Sequence, residues 1–462
     1  MARAVAWALV SPREVDVVVL GAGPAGEVCA GRLADGGLEV AIVESHLVGG
    51  ECSFYACMPS KGLLRPGELL AEVRRIPGVR EAVTGDIDAA AVLKRRDEII
   101  HDLDDSGMEP WLEKKGIALV RGHGRLDGER RVKVGDELLE ARRAVVVCTG
   151  SGAIVPPIDG LREAESWNNR EATTAKAVPG RLVVLGGGVV GVEMAQAWST
   201  LGSQVTLIEV ADRLIAREEP FASDDVAAGL QERGVDLRVG VKATAVRTDN
   251  GEVSLELESG GPVRGDELLV AIGRRPVTDD IGLDTVGLEP GNPIEVDDQM
   301  RASDWLYAIG DVNGRVLLTH MGKYQGRVAA DVILGKDARV TQDGQRSPRV
   351  IFTDPQVCAV GYTLASAREE GLNVRAVDVS TQGNAGASFY GREARGTARL
   401  VVDEDRGIIA GATFTGPEIA DFLHAATIAV VGEVPLDRLK HAVPSFPTRS
   451  EVWLYLMEEL GL

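Results

Sequence analysis

Short apolar runs that end at glycine mark two similar segments of the chain. Residues 15–20 lead into Gly21-Ala22-Gly23, and residues 183–185 lead into Gly186-Gly187-Gly188. An apolar run of this length, followed by glycine and then by a longer segment, predicts a buried strand, a tight turn and a helix. In each copy a second apolar run follows and ends at glutamate. Each segment is therefore predicted to form a strand–helix–strand unit.

Further apolar runs continue the alternation of strands and helices. Those that predict strands ending at or near glycine are residues 145–147, 268–273 and 305–309. Nearer the C-terminus the pattern changes to the alternation typical of strands with one exposed face, as in residues 399–403 and 407–413. Helix-like runs follow, near residues 418–431 and at the end of the chain. We predict an additional domain of different, α+β character there.

The two glycine-rich segments are an internal repeat. When the sequence is shifted by 165 residues, one segment falls on the other without a gap, and Glu44 meets Glu209. Both copies show the dinucleotide-binding fingerprint, in which glycines allow close approach of a pyrophosphate and the acid accepts from ribose hydroxyls. Two ordinary glycine-rich turns would not explain the fixed offset. The predicted nucleotide-binding residues are Gly21, Gly23, Gly26 and Glu44 in the first copy, and Gly186, Gly188, Gly191 and Glu209 in the second.

Composition narrows the class of protein. The 462 residues suffice for two to four domains, and 70 acidic against 50 basic residues give a net charge of −20. This charge argues against partners such as nucleic acid or an anionic membrane surface. No run approaches the ~18 apolar residues of a membrane span. We interpret residues 1–10 as an N-terminal extension of a cytoplasmic protein rather than a signal peptide, and we predict no metal site.

Two of the five cysteines, Cys52 and Cys57, lie close together just after the first repeat. Pro59 is typical of a first helical turn, which puts Cys57 at a predicted helix N-terminus close to Lys61. A thiolate there has a lowered pKa and enhanced reactivity. From the residues alone, a redox-active pair and two reduced structural cysteines both stay open.

The motifs together resemble those of the class I pyridine nucleotide–disulfide oxidoreductases, the family of dihydrolipoamide dehydrogenase, glutathione reductase and mercuric reductase. The segment GGECSFYACMPSK resembles the family's GGxCxxxxCxPSK signature. The segments Cys148-Thr149-Gly150, Ala308-Ile309-Gly310-Asp311 and Phe352-Thr353-Asp354-Pro355 resemble its ATG, AxGD and dimerisation-domain motifs. The resemblance extends over nearly the whole chain.

The resemblance implies a fold and a domain order. The expected fold is α/β, with two Rossmann-like domains for FAD and NAD(P) and a C-terminal α+β dimerisation domain. The implied domains are residues 1–155 with 275–345 for FAD, 156–274 for NAD(P), and 346–462 for the homodimer interface.

The resemblance also implies roles for single residues. Cys57 would be the thiol next to the flavin and Cys52 the thiol facing the substrate, joined as a redox disulfide. Lys61 would lie near flavin N5 and pair with Glu193. The remaining implied nucleotide contacts are Thr149, Gly150, Gly273, Asp311, Leu318, Thr319 and His320. For Asp311 a helix N-cap, and for His320 a purely structural role, are the alternatives.

The second repeat favours NAD(H) over NADP(H). Glu209 would accept a hydrogen bond from a ribose 2′-hydroxyl and repel a 2′-phosphate. The last motif residue is Gly191, where NADP-using members of the family tend to carry alanine. Arg213 is four residues beyond Glu209 and is also explained as a surface residue.

The chain departs from the family at its C-terminal catalytic motif. Disulfide reductases of this family end with HPxxxE, which supplies a general acid/base to the partner subunit, whereas the matching segment here begins with Phe446-Pro447 and ends at Glu451. A phenyl ring cannot move a proton, and general acid–base catalysis is worth ~10²–10⁴-fold. For His441 the alternatives are a substitute base and, favoured, a surface or packing role. For Glu451 they are a base, a partner of Arg449 and no role at all.

We therefore predict a homodimeric FAD enzyme that passes electrons from NAD(P)H through the Cys52–Cys57 pair to a small-molecule acceptor. A quinone, another small electrophile or an unusual disulfide are the candidate acceptors. A dihydrolipoamide dehydrogenase that uses another base is the first alternative. A redox-sensing flavoprotein with little turnover is the second.

Overall fold

The fold is described from a computed structural model that covers residues 12–391 and 394–462. The predicted N-terminal extension, residues 1–10, lies outside the described residues. The strands β1 to β21 are, in chain order, Arg13–Leu20, Val40–Glu44, Ala118–Arg121, Gly124–Leu126, Arg131–Val134, Glu137–Val147, Ser151–Ala153, Arg181–Leu185, Gln204–Glu209, Asp236–Val239, Ala243–Asp249, Glu252–Leu257, Val263–Gly265, Glu267–Val270, Arg274–Pro276, Leu306–Ala308, Arg349–Ile351, Gln356–Gly361, Val374–Ser380, Thr397–Asp403 and Ile408–Gly416.

Helices alternate with these strands. The α-helices α1 to α13 are, in chain order, Pro24–Asp35, Gly50–Phe54, Cys57–Arg75, Ala89–Ile99, Glu109–Lys115, Asn169–Thr174, Val189–Thr200, Pro220–Glu232, Thr319–Ile333, Leu364–Glu369, Leu423–Val431, Leu436–Leu439 and Val452–Glu459. Short 3₁₀ helices are Arg80–Ala82, His101–Leu103, Ser106–Met108, Leu283–Val286, Gly310–Asn313, Gly344–Arg346, Ala387–Tyr390, Ile419–Phe422 and Arg449–Glu451.

The chain forms two compact units. The first contains the described residues up to Phe54 together with His101–Gly152 and Arg274–Gly344. The second contains Tyr55–Ile100, Ala153–Gly273 and Gln345–Leu462. The three-domain boundaries expected from the sequence stay a prediction.

The first unit is built on one sheet with the strand order β3-β2-β1-β6-β5-β4, and β16 also pairs with β6. Strand β1 is parallel to both β2 and β6. Val17 and Val19 belong to one hydrophobic cluster, whereas Val18 and Leu20 belong to another. Both faces of β1 are therefore buried, which explains why its sequence is continuously apolar rather than alternating.

The second unit holds three sheets. A parallel sheet has the order β10-β9-β8-β14, a small antiparallel sheet has the order β11-β12-β13, and a five-stranded antiparallel sheet has the order β17-β18-β21-β20-β19. Helices α11 and α13 contact the five-stranded sheet. These elements form the mixed α/β architecture predicted from the sequence, including the change of pattern in the C-terminal region.

The internal repeat is visible in strand register. Val18 is paired with Ala41 across β1 and β2, and Val183 is paired with Thr206 across β8 and β9. Both pairs are separated by the same 165 residues along the chain. The two repeat copies therefore share their register as well as their sequence pattern.

Close backbone contacts explain why the glycines have the same spacing in both copies of the repeat. Gly21 has φ +114°, and a Cβ atom there would lie 2.4 Å from the carbonyl oxygen of Cys148. A Cβ on Gly26 would lie 2.1 Å from the carbonyl oxygen of Gly21. In the second repeat Gly186 has φ +113°, and a Cβ on Gly191 would lie 1.8 Å from its carbonyl oxygen. In each copy the helix therefore packs directly on the turn that precedes it.

We predict that Gly21→Ala destabilises the protein by about 2 kcal/mol or more, because it combines a positive φ with a backbone clash. Urea unfolding followed by far-UV circular dichroism measures the free energy of unfolding. Gly23→Ala is the matched control, since no atom lies within 4 Å of a Cβ at Gly23. Equal stability of the two variants would contradict the prediction.

Candidate active site

Glu44 and Glu209, the acidic residues predicted to bind ribose, each accept hydrogen bonds from the glycine-rich turn of their own repeat. The carboxylate of Glu44 accepts hydrogen bonds from the backbone N–H groups of Ala22 and His46, both at 2.7 Å. The carboxylate of Glu209 accepts from the N–H groups of Gly187 at 2.5 Å and Ala211 at 2.7 Å. A carboxylate has about four acceptor positions, so each acid retains capacity for a ribose hydroxyl.

The glycine turns leave space where a dinucleotide phosphate would bind. Gly23 precedes the first residue of α1, and Gly188 precedes the first residue of α7. Nothing lies within 4 Å of a Cβ placed on either glycine. The helix N-termini present N–H groups that lack an intrahelical partner and attract an anion. In each repeat the residues present fit a dinucleotide, such as the FAD and the NAD(P) that the resemblance implies.

Asp311 lies in the 3₁₀ helix Gly310–Asn313, after β16. It accepts a hydrogen bond from the hydroxyl of Ser151 at 2.5 Å, and burial raises the pKa of its carboxyl group. The N-cap of this 3₁₀ helix is Ile309, and that of α9 is Leu318. The N-cap alternative for Asp311 is therefore wrong.

The other implied contacts of the first unit lie on loops and at a helix start. The hydroxyl of Thr149 donates to the carbonyl oxygen of Val277 at 2.7 Å, and Gly150 has φ +76°. Thr319 is the first residue of α9, and His320 follows it with an exposed side chain. Their contact with FAD stays a prediction.

Cys52 lies within α2, and Cys57 is the first residue of α3. Both side chains are half-buried. The prediction that Pro59 stands in the first helical turn is confirmed. The Cys52–Cys57 disulfide itself stays a prediction.

Lys61 and Glu193 form an ion pair in the second unit. The Lys61 ammonium lies 2.7 Å from a carboxylate oxygen of Glu193, whose side chain is 4 % exposed. The other carboxylate oxygen accepts from the backbone N–H of Phe352 at 2.9 Å. The Phe352 ring lies beneath the ammonium, 4.6 Å from ring centroid to nitrogen. The structure thus brings together the two residues that the resemblance pairs and adds a third.

Arg213 lies in the loop between β9 and α8, close in sequence to Glu209. Arg213 donates to the carbonyl oxygens of Glu218 and Ala216 and to the hydroxyl of Ser223. These bonds hold the loop before α8 and occupy both terminal nitrogens of the guanidinium.

Gly273 has φ +147°, and its carbonyl oxygen accepts a hydrogen bond from the backbone N–H of Ile154 at 3.0 Å.

The C-terminal motif has an exposed ring and a buried acid. Phe446 is 77 % exposed, whereas Glu451 is buried and accepts from the N–H of Gly386 at 3.3 Å. Arg449 donates to the carbonyl oxygen of Pro417 and lies over the Tyr390 ring. The Glu451–Arg449 alternative is thereby disfavoured, since Arg449 has other partners.

Sequence reasoning missed three residues that organise these groups. Ser151 and Arg274 flank motifs that the sequence had singled out, but no pattern indicated that they contact each other. The Phe352 aromatic ring was visible only as part of a motif. The contacts of Ser151, Arg274 and Phe352 join residues that are far apart in the chain. The only signal in the sequence that could have indicated these residues was therefore their position in or beside a motif.

Family models match almost the entire chain. Residues 15–326 match the pyridine nucleotide-disulphide oxidoreductase model, and residues 347–456 match the dimerisation domain of the same family. The chain belongs to the pyridine nucleotide-disulphide oxidoreductase family. This family is FAD-dependent and uses NAD(P)H.

Curated relatives are similar over most of their length. The dihydrolipoyl dehydrogenase of Haloferax volcanii is 31 % identical over 451 residues, with 94 % of each chain covered. The mercuric reductase of Staphylococcus aureus is 29 % identical over 446 residues, with 95 % of this chain and 81 % of the relative covered. These similarities support the family and leave the acceptor open.

Solved structures share the fold. The flavoprotein disulfide reductase RclA from Escherichia coli superposes with a TM-score of 0.85 at 24 % identity, covering 96 % of this chain and 99 % of RclA. LpdA from Mycobacterium tuberculosis superposes with a TM-score of 0.84 at 25 % identity, covering 97 % and 99 %. The glutathione reductase-like fold expected from the sequence is confirmed.

The described residues contain neither a membrane-spanning helix nor a cluster of metal-ligating side chains. No described helix has the length and apolar content needed to cross a bilayer. Within residues 12–391 and 394–462, no group of three His, Cys, Asp or Glu side chains is placed to hold a metal ion.

We predict that, after reduction, iodoacetamide modifies Cys52 and Cys57 and spares the other cysteines in the folded protein. Cys29 and Cys358 are fully buried and Cys148 nearly so. Burial raises the pKa of Cys29 to about 12 and also raises those of Cys148 and Cys358, so little thiolate forms.

Peptide mass spectrometry identifies the modified cysteines. The same treatment in urea is the control and should modify all five. Rapid modification of Cys29 or Cys148 in the folded protein would show that these thiols are accessible.

Proposed function

We propose that this protein is an FAD-dependent oxidoreductase that passes electrons from NADH through a Cys52–Cys57 disulfide to a small acceptor that needs no histidine base. The observation that carries the proposal is the position of Cys57 at the start of α3, the helix that also carries the paired Lys61. Bound FAD supplies a two-electron carrier between a nicotinamide and a thiol pair.

The residues of the chain have separate tasks in this proposal. The first repeat would hold the FAD dinucleotide, with Glu44 accepting from its ribose. As the family resemblance implies, Lys61 would supply a positive charge to the flavin, and Glu193 would keep that charge in position. Reduction of the disulfide takes two electrons and two protons and leaves two thiols, Cys52 facing the acceptor and Cys57 facing the flavin.

Phe446 decides what kind of acceptor is compatible with this chain. Thiol–disulfide exchange with lipoamide or glutathione needs a group that takes and returns a proton, and a phenyl ring has none. A quinone accepts two electrons and takes its protons from solvent or from the thiols. We therefore propose a quinone or another small electrophile as acceptor, with an unusual disulfide as the remaining choice.

NADH is the proposed electron donor in preference to NADPH. The Glu209 carboxylate already accepts hydrogen bonds from two backbone N–H groups, and its negative charge would repel a 2′-phosphate. The guanidinium of Arg213 is engaged by oxygens of its own loop. Both observations favour a nicotinamide nucleotide with a free 2′-hydroxyl.

The assembly and location belong to the same proposal. The match of residues 347–456 to the dimerisation domain supports a homodimer. In such a dimer the Phe446–Glu451 segment would serve the partner subunit's active site. A cytoplasmic location agrees with a nicotinamide-dependent enzyme whose cysteines must be reduced in each cycle.

The curated relatives favour one second candidate, dihydrolipoamide dehydrogenase. Relatives with that name reach 31 % identity over 94 % of the chain. This activity would require a replacement base, and His441 is exposed just after α12. Robust turnover of dihydrolipoamide with NAD⁺ would favour it over the quinone reductase.

We predict that anaerobic titration with NADH produces a long-wavelength absorption band from a thiolate beside the flavin, and that Cys57→Ser abolishes this band. Cys52→Ser is the matched control and should show the band before NADH is added, because Cys57 is then a free thiol beside an oxidised flavin. A parallel titration with NADPH should require a roughly tenfold higher concentration. Persistence of the band in Cys57→Ser would contradict the assignment of Cys57.

We predict that Phe446→His raises the rate of dihydrolipoamide oxidation by up to about 10²-fold, because it restores a proton-transferring group at the motif position. Steady-state kinetics with dihydrolipoamide and NAD⁺ measure the gain. Phe446→Leu is the control and should give none, and the double variant Phe446→His with Glu451→Gln should lose most of it. No gain in the single variant would mean that residue 446 is not at the acid/base position.

A further inference from the structure

We propose that Ser151 and Arg274 are positioning residues that connect Asp311 to Glu51 and hold the Asp311 carboxylate ready for the flavin cofactor. We call Asp311, Ser151, Arg274 and Glu51 the carboxylate relay. The proposal rests on the proposed function only in taking FAD as the ligand of the first unit.

Hydrogen bonds join the first three members of the relay. The hydroxyl of Ser151 donates to a carboxylate oxygen of Asp311 at 2.5 Å. The Nε of Arg274 donates to the same hydroxyl at 2.8 Å, and its Nη2 donates to the carbonyl oxygen of Ser151. The hydroxyl of Ser151 is therefore oriented: it accepts from Arg274, and its own hydrogen points to Asp311.

The fourth member extends the relay to the cysteine helix. Glu51 lies in α2 directly before Cys52, and its carboxylate is 3.8 Å from Nη2 of Arg274. One guanidinium thus contacts groups on two segments, the strand that carries Ser151 and the helix that carries Cys52. The relay fixes the Asp311 carboxylate relative to the residue that precedes the predicted redox pair.

Burial distinguishes this arginine from its neighbour. The side chain of Arg274 is 21 % exposed, and Ser151 is 5 % exposed. Arg275, the next residue, is 53 % exposed and pairs with Asp279 across the surface. Adjacent arginines on one strand therefore have different tasks, which makes Arg275 a matched control.

The charges of the relay act on Asp311 in opposite directions. Burial raises the pKa of its carboxyl group, and the negative charge of Glu51 raises it further. The hydrogen bond from Ser151 and the positive charge of Arg274 lower it. Ser151 and Arg274 thus favour the ionised carboxylate, which makes stronger hydrogen bonds to cofactor hydroxyls than the neutral acid does.

The dissociation constant of FAD tests the relay. FAD is released from the purified protein and rebound at pH 5 to 8, and binding is followed by quenching of flavin fluorescence. We expect Ser151→Ala and Arg274→Gln each to raise the dissociation constant about tenfold near pH 6, the value of one lost charge-assisted hydrogen bond. Arg275→Gln should bind FAD like the unmodified protein.

The pH dependence of FAD affinity distinguishes an electrostatic effect of Arg274 and Glu51 on Asp311 from a purely structural role. Arg274→Gln removes a positive charge and raises the pKa of Asp311, so affinity should begin to fall at a higher pH during acidification. Glu51→Gln removes a negative charge and lowers that pKa, so affinity should persist to a lower pH. Opposite shifts are expected because the two charges have opposite signs. Simple disruption of packing would weaken binding in both variants at every pH.

Conservative variants complete the test. Ser151→Thr keeps a hydroxyl and Arg274→Lys keeps a charge, so both should restore part of the affinity. Unchanged FAD affinity in Ser151→Ala and Arg274→Gln, or shifts of the same sign in Arg274→Gln and Glu51→Gln, would overturn the relay. If the unmodified protein bound no FAD, the proposed function would fail instead, so the two failures are distinguishable.

Discussion

The direct contact of a helix with the turn before it is the constraint on which the structure depends. Gly26 brings α1 onto Gly21, and Gly191 brings α7 onto Gly186, at distances that no side chain would allow. Gly23 and Gly188 directly precede the first residues of these helices, where N–H groups lack an intrahelical partner. The acid at the end of the next strand accepts hydrogen bonds from the turn of its own repeat.

Charged side chains that are buried or partly buried form a second layer of organisation. Lys61 and Glu193 compensate each other, and the remaining oxygen of Glu193 is satisfied by the Phe352 N–H. Asp311 lies in a similar position, with Ser151 and Arg274 as its support. Buried charges are tolerated when they are paired and hydrogen-bonded, and such pairs hold reacting groups in fixed positions.

The C-terminal motif differs from the cysteine helix in how closely it follows the family pattern. Cys57 begins α3 and Lys61 of the same helix pairs with Glu193, whereas the position of the motif histidine holds the exposed ring of Phe446. Glu451 keeps its place but is buried against Gly386. The proposed function follows from this difference: a chain that keeps the cysteine helix but has no proton-transferring side chain at position 446 would suit acceptors that need no positioned acid.

The repeat, the fold class and the start of a helix at Cys57 could be predicted from the residues alone, because each depends on local spacing. Glycine turns, apolar runs and Pro59 act within a few residues of chain. The partners of Arg274, Phe352 and Arg449 could not be predicted, since each contact joins segments that are far apart in sequence. Nothing in a local pattern distinguishes Arg274 from Arg275; burial of one and exposure of the other follow from the way the strand packs.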